Sequence, residues 1–291
     1  MTIPTSLLAA SLNPPSITAL DASGGALPCW VLLETRVYSA HRDDSTAASA
    51  KTSRDEHEIV VSICFADPPA LSHVCLHCPS LSTTNFVGEP HVVRSHEQFL
   101  LLHLPLTWPT SGIPKRSDEY YMYQVTQTQG KKKKPTLSRI PNPKPCLLLR
   151  TDLGIYCPAD APGEYILAGL CPTLNAETHE LHLYSSKPHK VIPLGGSLLG
   201  WVDLWKGILV CDVLSSYRVV FLRFVPFPGR LPGNTTCHLC PWKVRDFACA
   251  NGSLKFVEIE HFPEPSAIEK TVAEDPPDIV YDDPPSVEGG A

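Results

Sequence analysis

The apolar residues of this chain come in short β-branched or aromatic runs separated by polar, Pro-rich stretches, and no segment sustains a 3.6-residue apolar period. Runs of this kind predict strands. In the first half they cover Cys29 to Tyr38, Glu58 to Phe65, Leu71 to His77, a pair at Val92-Val93 and Gln98 to Leu104, and Asp118 to Thr126. The second half is more regular. Its candidates are Cys146 to Arg150, Glu164 to Ala168, Glu180 to Ser185, Leu198 to Leu204, Gly207 to Leu214, Arg218 to Val225, Val244 to Ala250, and Ser253 to Glu260. Strand starts roughly 10–15 residues apart suit antiparallel hairpins and leave no room for crossover helices. Asn251-Gly252, between the last two runs, is a favoured two-residue hairpin turn.

The stretches between the runs set the domain plan. Residues 1–27 are rich in Ser, Thr, Ala and Pro and read as a flexible lead-in. Residues 39–56 are polar and read as an exposed loop. Residues 127–145 hold Lys131, Lys132, Lys133 and Lys134 together with Pro135, Pro141, Pro143 and Pro145, and read as a mobile loop. From 263 to 291 the chain is acidic and Pro-rich, and reads as a disordered tail that carries Ile279-Val280-Tyr281 between acidic flanks. Residues 28–262 are then one β domain.

Composition sharpens this picture. There are 30 Pro among 291 residues, about twice the usual share. Proline breaks helix interiors and central strands alike, so only short elements survive between the breaks. Charged residues make up 19%, fewer than a set of solvated helices would carry. The expected fold is all-β, built from consecutive antiparallel hairpins in a propeller-like arrangement, with a β-sandwich as the alternative.

A net charge of −6 supplies no basic field, so neither nucleic acid nor an anionic membrane is an expected partner. No apolar run reaches the ~20 residues of a membrane helix. The 11 Cys follow a start, Met1-Thr-Ile-Pro-Thr-Ser-Leu-Leu-Ala-Ala, that lacks the basic n-region of a secretory signal. Free thiols in the cytoplasm or nucleus, and no secretion, are the expectation. The sequons at Asn234 and Asn251 then have no glycan to receive.

The most distinctive stretch is Gly200 to Leu214, Gly-Trp-Val-Asp-Leu-Trp-Lys-Gly-Ile-Leu-Val-Cys-Asp-Val-Leu. It resembles the signature of a plant family expanded in cereals, domain of unknown function 1618. Glu119-Tyr-Tyr-Met-Tyr, Tyr165-Ile-Leu-Ala-Gly-Leu and Glu180-Leu-His-Leu-Tyr-Ser-Ser are similar to its upstream strands. Val225-Pro-Phe-Pro228, Arg245-Asp-Phe247 and Leu254-Lys-Phe-Val-Glu258 are similar to its downstream ones. The resemblance spans roughly 28–262. It transfers no catalytic residue and implies a fold like the propeller-like domains that accompany F-boxes in plants.

Read from its residues, the signature is structural. Trp201 and Trp205 are large enough to anchor sheet packing. Lys206-Gly207 suits a tight turn, and Ile208, Val210 and Asp212 share one strand face. Asp203 and Asp212 are its odd members. Paired strands could bring them together as a general acid and base, but bonding to a turn amide or a neighbouring cation is the favoured role. Cys211 lies in an apolar strand that disfavours a thiolate nucleophile.

Other chemistry is sparser. Cys75-Leu-His-Cys78 and Cys237-His-Leu-Cys240 are two C-x-x-C pairs that would bind Zn²⁺ only if the fold joined them and a knuckle turn realigned each. Buried thiols are the preferred reading, and no cofactor is expected. His179 and His182 face opposite ways on a strand and cannot chelate together. There is no G-x-S-x-G elbow and no phosphate loop. Lys115-Arg116 with Lys131 to Lys134 has the layout of a bipartite nuclear-import signal, against the plainer reading of a solvated loop. A protein-interaction or scaffold module binding a protein partner is the leading function. A hydrolase or metal-dependent enzyme using Asp203 and Asp212 or the paired cysteines is the alternative.

Overall fold

The structure is a computed structural model, and it describes residues 7–16, 30–108, 114–125, 134–141, 152–170, 188–215, 222–235 and 240–262. These contain no α-helix, only strands and short 3₁₀ turns such as Ala9–Leu12. The chain divides into two compact units. One holds residues 1–227 with 247–255, the other 228–246 with 256–291.

The larger unit opens with eight strands: β1 Leu32–Ser39, β2 Ala48–Lys51, β3 Glu58–Cys64, β4 Leu71–His77, β5 His91–His96, β6 Phe99–Trp108, β7 Lys115–Gln124 and β8 Thr136–Ile140. They form one sheet in the order β2-β3-β4-β1-β5-β6-β7-β8. Every pair is antiparallel except β1 with β4, which run parallel. Alternation decides what goes inside. Ile59, Val61 and Ile63 on β3, Leu100, Leu102, Leu104 and Leu106 on β6, and Tyr121 and Tyr123 on β7 share one core with Ala48 and Leu137 from the two outermost strands. The sheet therefore curls into a nearly closed barrel. Tyr123 Oη donates to the Thr46 carbonyl at 2.6 Å, linking β7 to the β2 end of the sheet. Glu119, also buried, accepts the Ser53 amide and the Tyr121 hydroxyl at the same seam.

β6 is buried along its whole length. Its second face, Phe99 and Leu101, packs with Val93, Tyr120 and Met122 against Leu153 and Ile155. Those two belong to β9 Leu153–Tyr156, which pairs with β10 Ile166–Gly169. On its other side β9 offers Tyr156 to a third cluster with Val191, Leu199, Trp201, Leu209 and Cys211. That cluster belongs to a four-stranded antiparallel meander: β11 Lys190–Gly195, β12 Leu198–Asp203, β13 Gly207–Asp212 and β14 Leu222–Pro226. The β9–β10 ribbon is thus sandwiched between barrel and meander. A final ribbon, β15 Arg245–Ala250 with β16 Ser253–Glu258, turns at Asn251-Gly252, whose φ values of 52° and 70° suit that sequence.

The all-β expectation holds. The propeller-like arrangement is not confirmed: the first eight strands form one continuous sheet, where a propeller is cut into four-stranded blades. The loop expected at 39–56 contains β2, and the loop expected at 127–145 contains β8. The runs at Cys146 to Arg150 and Glu180 to Ser185, and the tail from 263 onward, lie outside the described residues.

Candidate functional site

The signature forms the β12–β13 hairpin, paired from Leu198↔Asp212 to Asp203↔Gly207. Two glycines make it possible. A Cβ on Gly200 would collide with Ile208 and stand 3.1 Å from Leu194 Cδ1, so its absence lets Ile208 pack across the hairpin. A Cβ on Gly207 would meet the Val225 carbonyl and stand 2.9 Å from Pro226 Cα, so glycine lets β14 pair closely with β13. Trp201 is buried, and its Nε1 donates to the Asp152 carbonyl at 2.6 Å, tying the meander to the start of β9. Trp205 lies in the turn and is only half-buried. Trp201 is the packing anchor of the two.

Asp203 Oδ1 accepts the Trp205 amide at 2.9 Å, and Asp212 Oδ1 accepts the Leu214 amide at 3.0 Å. The two aspartates stand at opposite ends of the hairpin, five register steps apart, or roughly 17 Å at ~3.4 Å per residue. The folded hairpin cannot use them as one acid–base pair. Asp203 instead meets His189, whose Nδ1 lies 3.7 Å from its Oδ1. That Nδ1 accepts the Leu204 amide at 3.2 Å. Burial holds the His189 imidazole below its usual range, only partly countered by Asp203. An unprotonated Nδ1 is what the Leu204 amide requires.

Three of the four paired cysteines are among the described residues. Cys75 is buried on β4 and Cys78 follows the strand's end, half-buried. Burial pushes their thiols up to about 11 and about 12, respectively. Cys240 is exposed in the smaller unit, and Cys237 lies outside the described residues. Among the described residues no group of three or more His, Cys, Asp or Glu is placed to hold a metal ion. Cys211 is buried, and that burial, helped by Asp212, raises its thiol. His179 and His182 are not among the described residues.

Three of the six basic residues of the candidate import signal are among the described residues. Lys115 and Arg116 are exposed at the start of β7, paired with Trp108 and Thr107, and Arg116 bonds Asp118. The stretch that should act as spacer holds the buried strand residues Tyr120 to Tyr123. Lys134 is exposed beside β8, and Lys131, Lys132 and Lys133 are outside the described residues.

Sequence reading missed one polar constellation. Arg116 Nε and Nη2 each donate to Asp118 at 3.0 Å, and Asp118 Oδ1 bonds the buried His103 Nε2 at 2.8 Å. The rings of His91 and Tyr120 flank His103 at centroid distances of 5.0 and 4.9 Å. Burial alone would raise Asp118, but the bonds from Arg116 and His103 outweigh it and lower its pKa. The available signal was the alternation Arg116-x-Asp118-x-Tyr120, which puts three side chains on one strand face.

These observations define an all-β chain in which a barrel-like sheet and a meander enclose a small ribbon. Residues 201–280 match the family described as Protein of unknown function (DUF1618), the family whose signature the Gly200 to Leu214 stretch resembles. The match begins at Trp201, within β12, and takes in β13, β14, β15 and β16. No curated protein and no solved structure matches the chain. No helix among the described residues is long and apolar enough to cross a membrane.

Proposed function

We propose that this chain is a non-catalytic interaction module of a plant protein, binding another protein in the cytoplasm or nucleus through an exposed sheet edge. The observation that supports this reading is β14. It is the edge strand of the meander among the described residues and is exposed at all five positions. Leu222, Phe224 and Val225 are 41%, 45% and 36% exposed, whereas β13 beside it and β12 beyond are largely buried. An edge strand bearing large apolar side chains is a template for an added strand, with backbone bonds giving affinity and alternate side chains giving selectivity. The rival enzymatic reading loses its aspartate pair to the hairpin geometry. The seven described cysteines are all free, which fits a reducing compartment.

The test is Phe224→Lys, which places a gatekeeper charge on the edge without touching the meander core. The variant should melt as wild type does and lose at least one protein that co-purifies with the wild-type chain at constant stoichiometry. An unchanged set of co-purifying proteins would sink this reading.

A further inference from the structure

At one end of the β1–β4 pair lies a cavity of about 80 Å³, lined by Val37, Leu76, Cys78, Leu81 and Phe86 from the barrel and by Leu7 and Ser11 from the segment before it. That segment, residues 7–16, has few anchors. Leu8 and Leu12 point away and are exposed, while Leu7 packs on the barrel core and Ser11 is fully buried. Among the described residues its side-chain tie to the barrel is the Glu89 carboxylate. Glu89 accepts the Leu8 amide on one oxygen and the Ser11 hydroxyl on the other. The intervening 3₁₀ turn is closed by the Ser11 amide on the Leu8 carbonyl at 2.9 Å, so both donors are held at the spacing the carboxylate needs.

We propose that Leu7–Asn13 is a releasable strap over this cavity and that Glu89 is its catch. Bonds to a charged acceptor are strong for as long as the acceptor is present. Among the described residues, their loss leaves the packing of Leu7 and the buried Ser11 to hold the segment against its gain in conformational freedom. Lifting the strap bares Val37, Leu76, Leu81 and Phe86, which line the cavity together with Leu7. Cys78 reports the state of the strap. Its thiol is raised to about 12 while the cavity is closed, and exposure returns it toward the ordinary value of about 8.5, where the reactive thiolate is common near pH 8.

The experiment follows carbamidomethylation by iodoacetamide at pH 8 in the full chain, with fragment-ion mass spectrometry resolving Cys78 from Cys75. Cys75 sits 1% exposed in the barrel wall and serves as the internal reference for global unfolding. Glu89→Ala should raise the Cys78 rate at least tenfold and leave that of Cys75 unchanged. An unchanged Cys78 rate overturns the proposal, and so does a joint rise of both cysteines in a chain that keeps its wild-type far-UV spectrum. If Glu89→Ala fails to fold, Ser11→Ala decides. It removes one of the two bonds and no charge, and a rise of threefold or more at Cys78 alone supports the strap, whereas no rise refutes it.

Discussion

Replacing Glu258 by Gln should loosen the smaller unit by an amount the structure sets. The Arg245 side chain is 0% exposed and that of Glu258 6%, and Arg245 Nη2 meets Glu258 Oε2 at 2.8 Å. The other carboxylate oxygen accepts Asn234 Nδ2 at 2.8 Å and the Leu231 amide at 3.1 Å. Arg245 also lies over the Phe256 ring, 5.3 Å from its centroid. Glutamine keeps the shape and an acceptor oxygen but removes the negative charge that faces the buried guanidinium at Nη2. Breaking one side of a buried pair costs about 3–5 kcal/mol, which at ~1.4 kcal/mol per decade is roughly two to three and a half decades in a local opening constant. Hydrogen exchange of the Ile259 amide, bonded to the Val244 carbonyl at 2.7 Å, reads this directly. Acid should mimic the substitution. Burial by itself would raise Glu258, but the bonds from Arg245, Asn234 and Leu231 win and depress it. A carboxyl depressed on folding contributes stability that is full above its unfolded value, about 4.3, and fades as pH falls through the folded value. Wild type should therefore become acid-sensitive below about pH 4.3 in this unit, and Glu258→Gln should lack that component. Equal exchange in the two proteins at neutral pH, or equal acid sensitivity, would refute the reasoning. The double variant Arg245→Met, Glu258→Leu removes both charges and should recover most of the loss.

Trp201→Phe should cost about 0.5–1.5 kcal/mol, because it removes one of the two hydrogen bonds to the Asp152 carbonyl and leaves that from the Leu170 amide at 3.3 Å, and Trp201→Ala about 3–5 kcal/mol. Urea denaturation checks both, and a smaller loss for Trp201→Ala than for Trp205→Ala would contradict the assignment of Trp201 as anchor. Tyr123→Phe removes the bond to the Thr46 carbonyl at the barrel seam and should cost about 0.5–1.5 kcal/mol; a chain as stable as wild type would show that the seam needs no such tie. Protein purified without added metal should carry no stoichiometric zinc, since burial keeps the Cys75 and Cys78 thiols protonated near neutral pH. Elemental analysis finding about one zinc per chain, lost on Cys237→Ser, would overturn this.

How far the sequence carried the fold depends on whether a strand's own residues name it. Leu71–His77 is found with the expected bounds, and β3, β5, β12, β13, β15 and β16 within a few residues, because each is apolar or β-branched enough to be read alone. The strands missed were β2, β8, β9 and β11. Ala48-Ser-Ala-Lys and Thr136-Leu-Ser-Arg-Ile become strands because β3 and β7 present free edges to them, a tertiary cause with no local signature. Pro193 hid β11, and Pro105 shortened the reading of β6 to Leu104, although the strand runs to Trp108. At Pro105 the carbonyl accepts from the Val87 amide, so the missing N–H faces the side where the β5 ladder has already ended at His91↔His103. A proline is tolerated in a long strand where one neighbour has run out. The parallel β1–β4 pair is the other surprise, since hairpin spacing argues only for antiparallel neighbours.

The site was less legible than the fold, for a reason visible in the hairpin itself. Asp203 and Asp212 are nine residues apart in sequence, and their side chains look like partners until register places one beside Gly207 and the other beside Leu198. His103 and Asp118 are further apart in sequence, on either side of the β6–β7 connection, yet the ladder sets Tyr120 opposite His103 and lets Asp118 reach its imidazole. Register, more than residue type, separates the first pair and joins the second, and register follows from where each strand begins. The same logic applies to β14. Its residues were readable as apolar and strand-forming, which is what a buried strand also looks like. Only the sheet order shows that nothing among the described residues lies beyond it, and so turns an ordinary run, Leu-Arg-Phe-Val-Pro, into the surface on which the proposed partner would add its own strand.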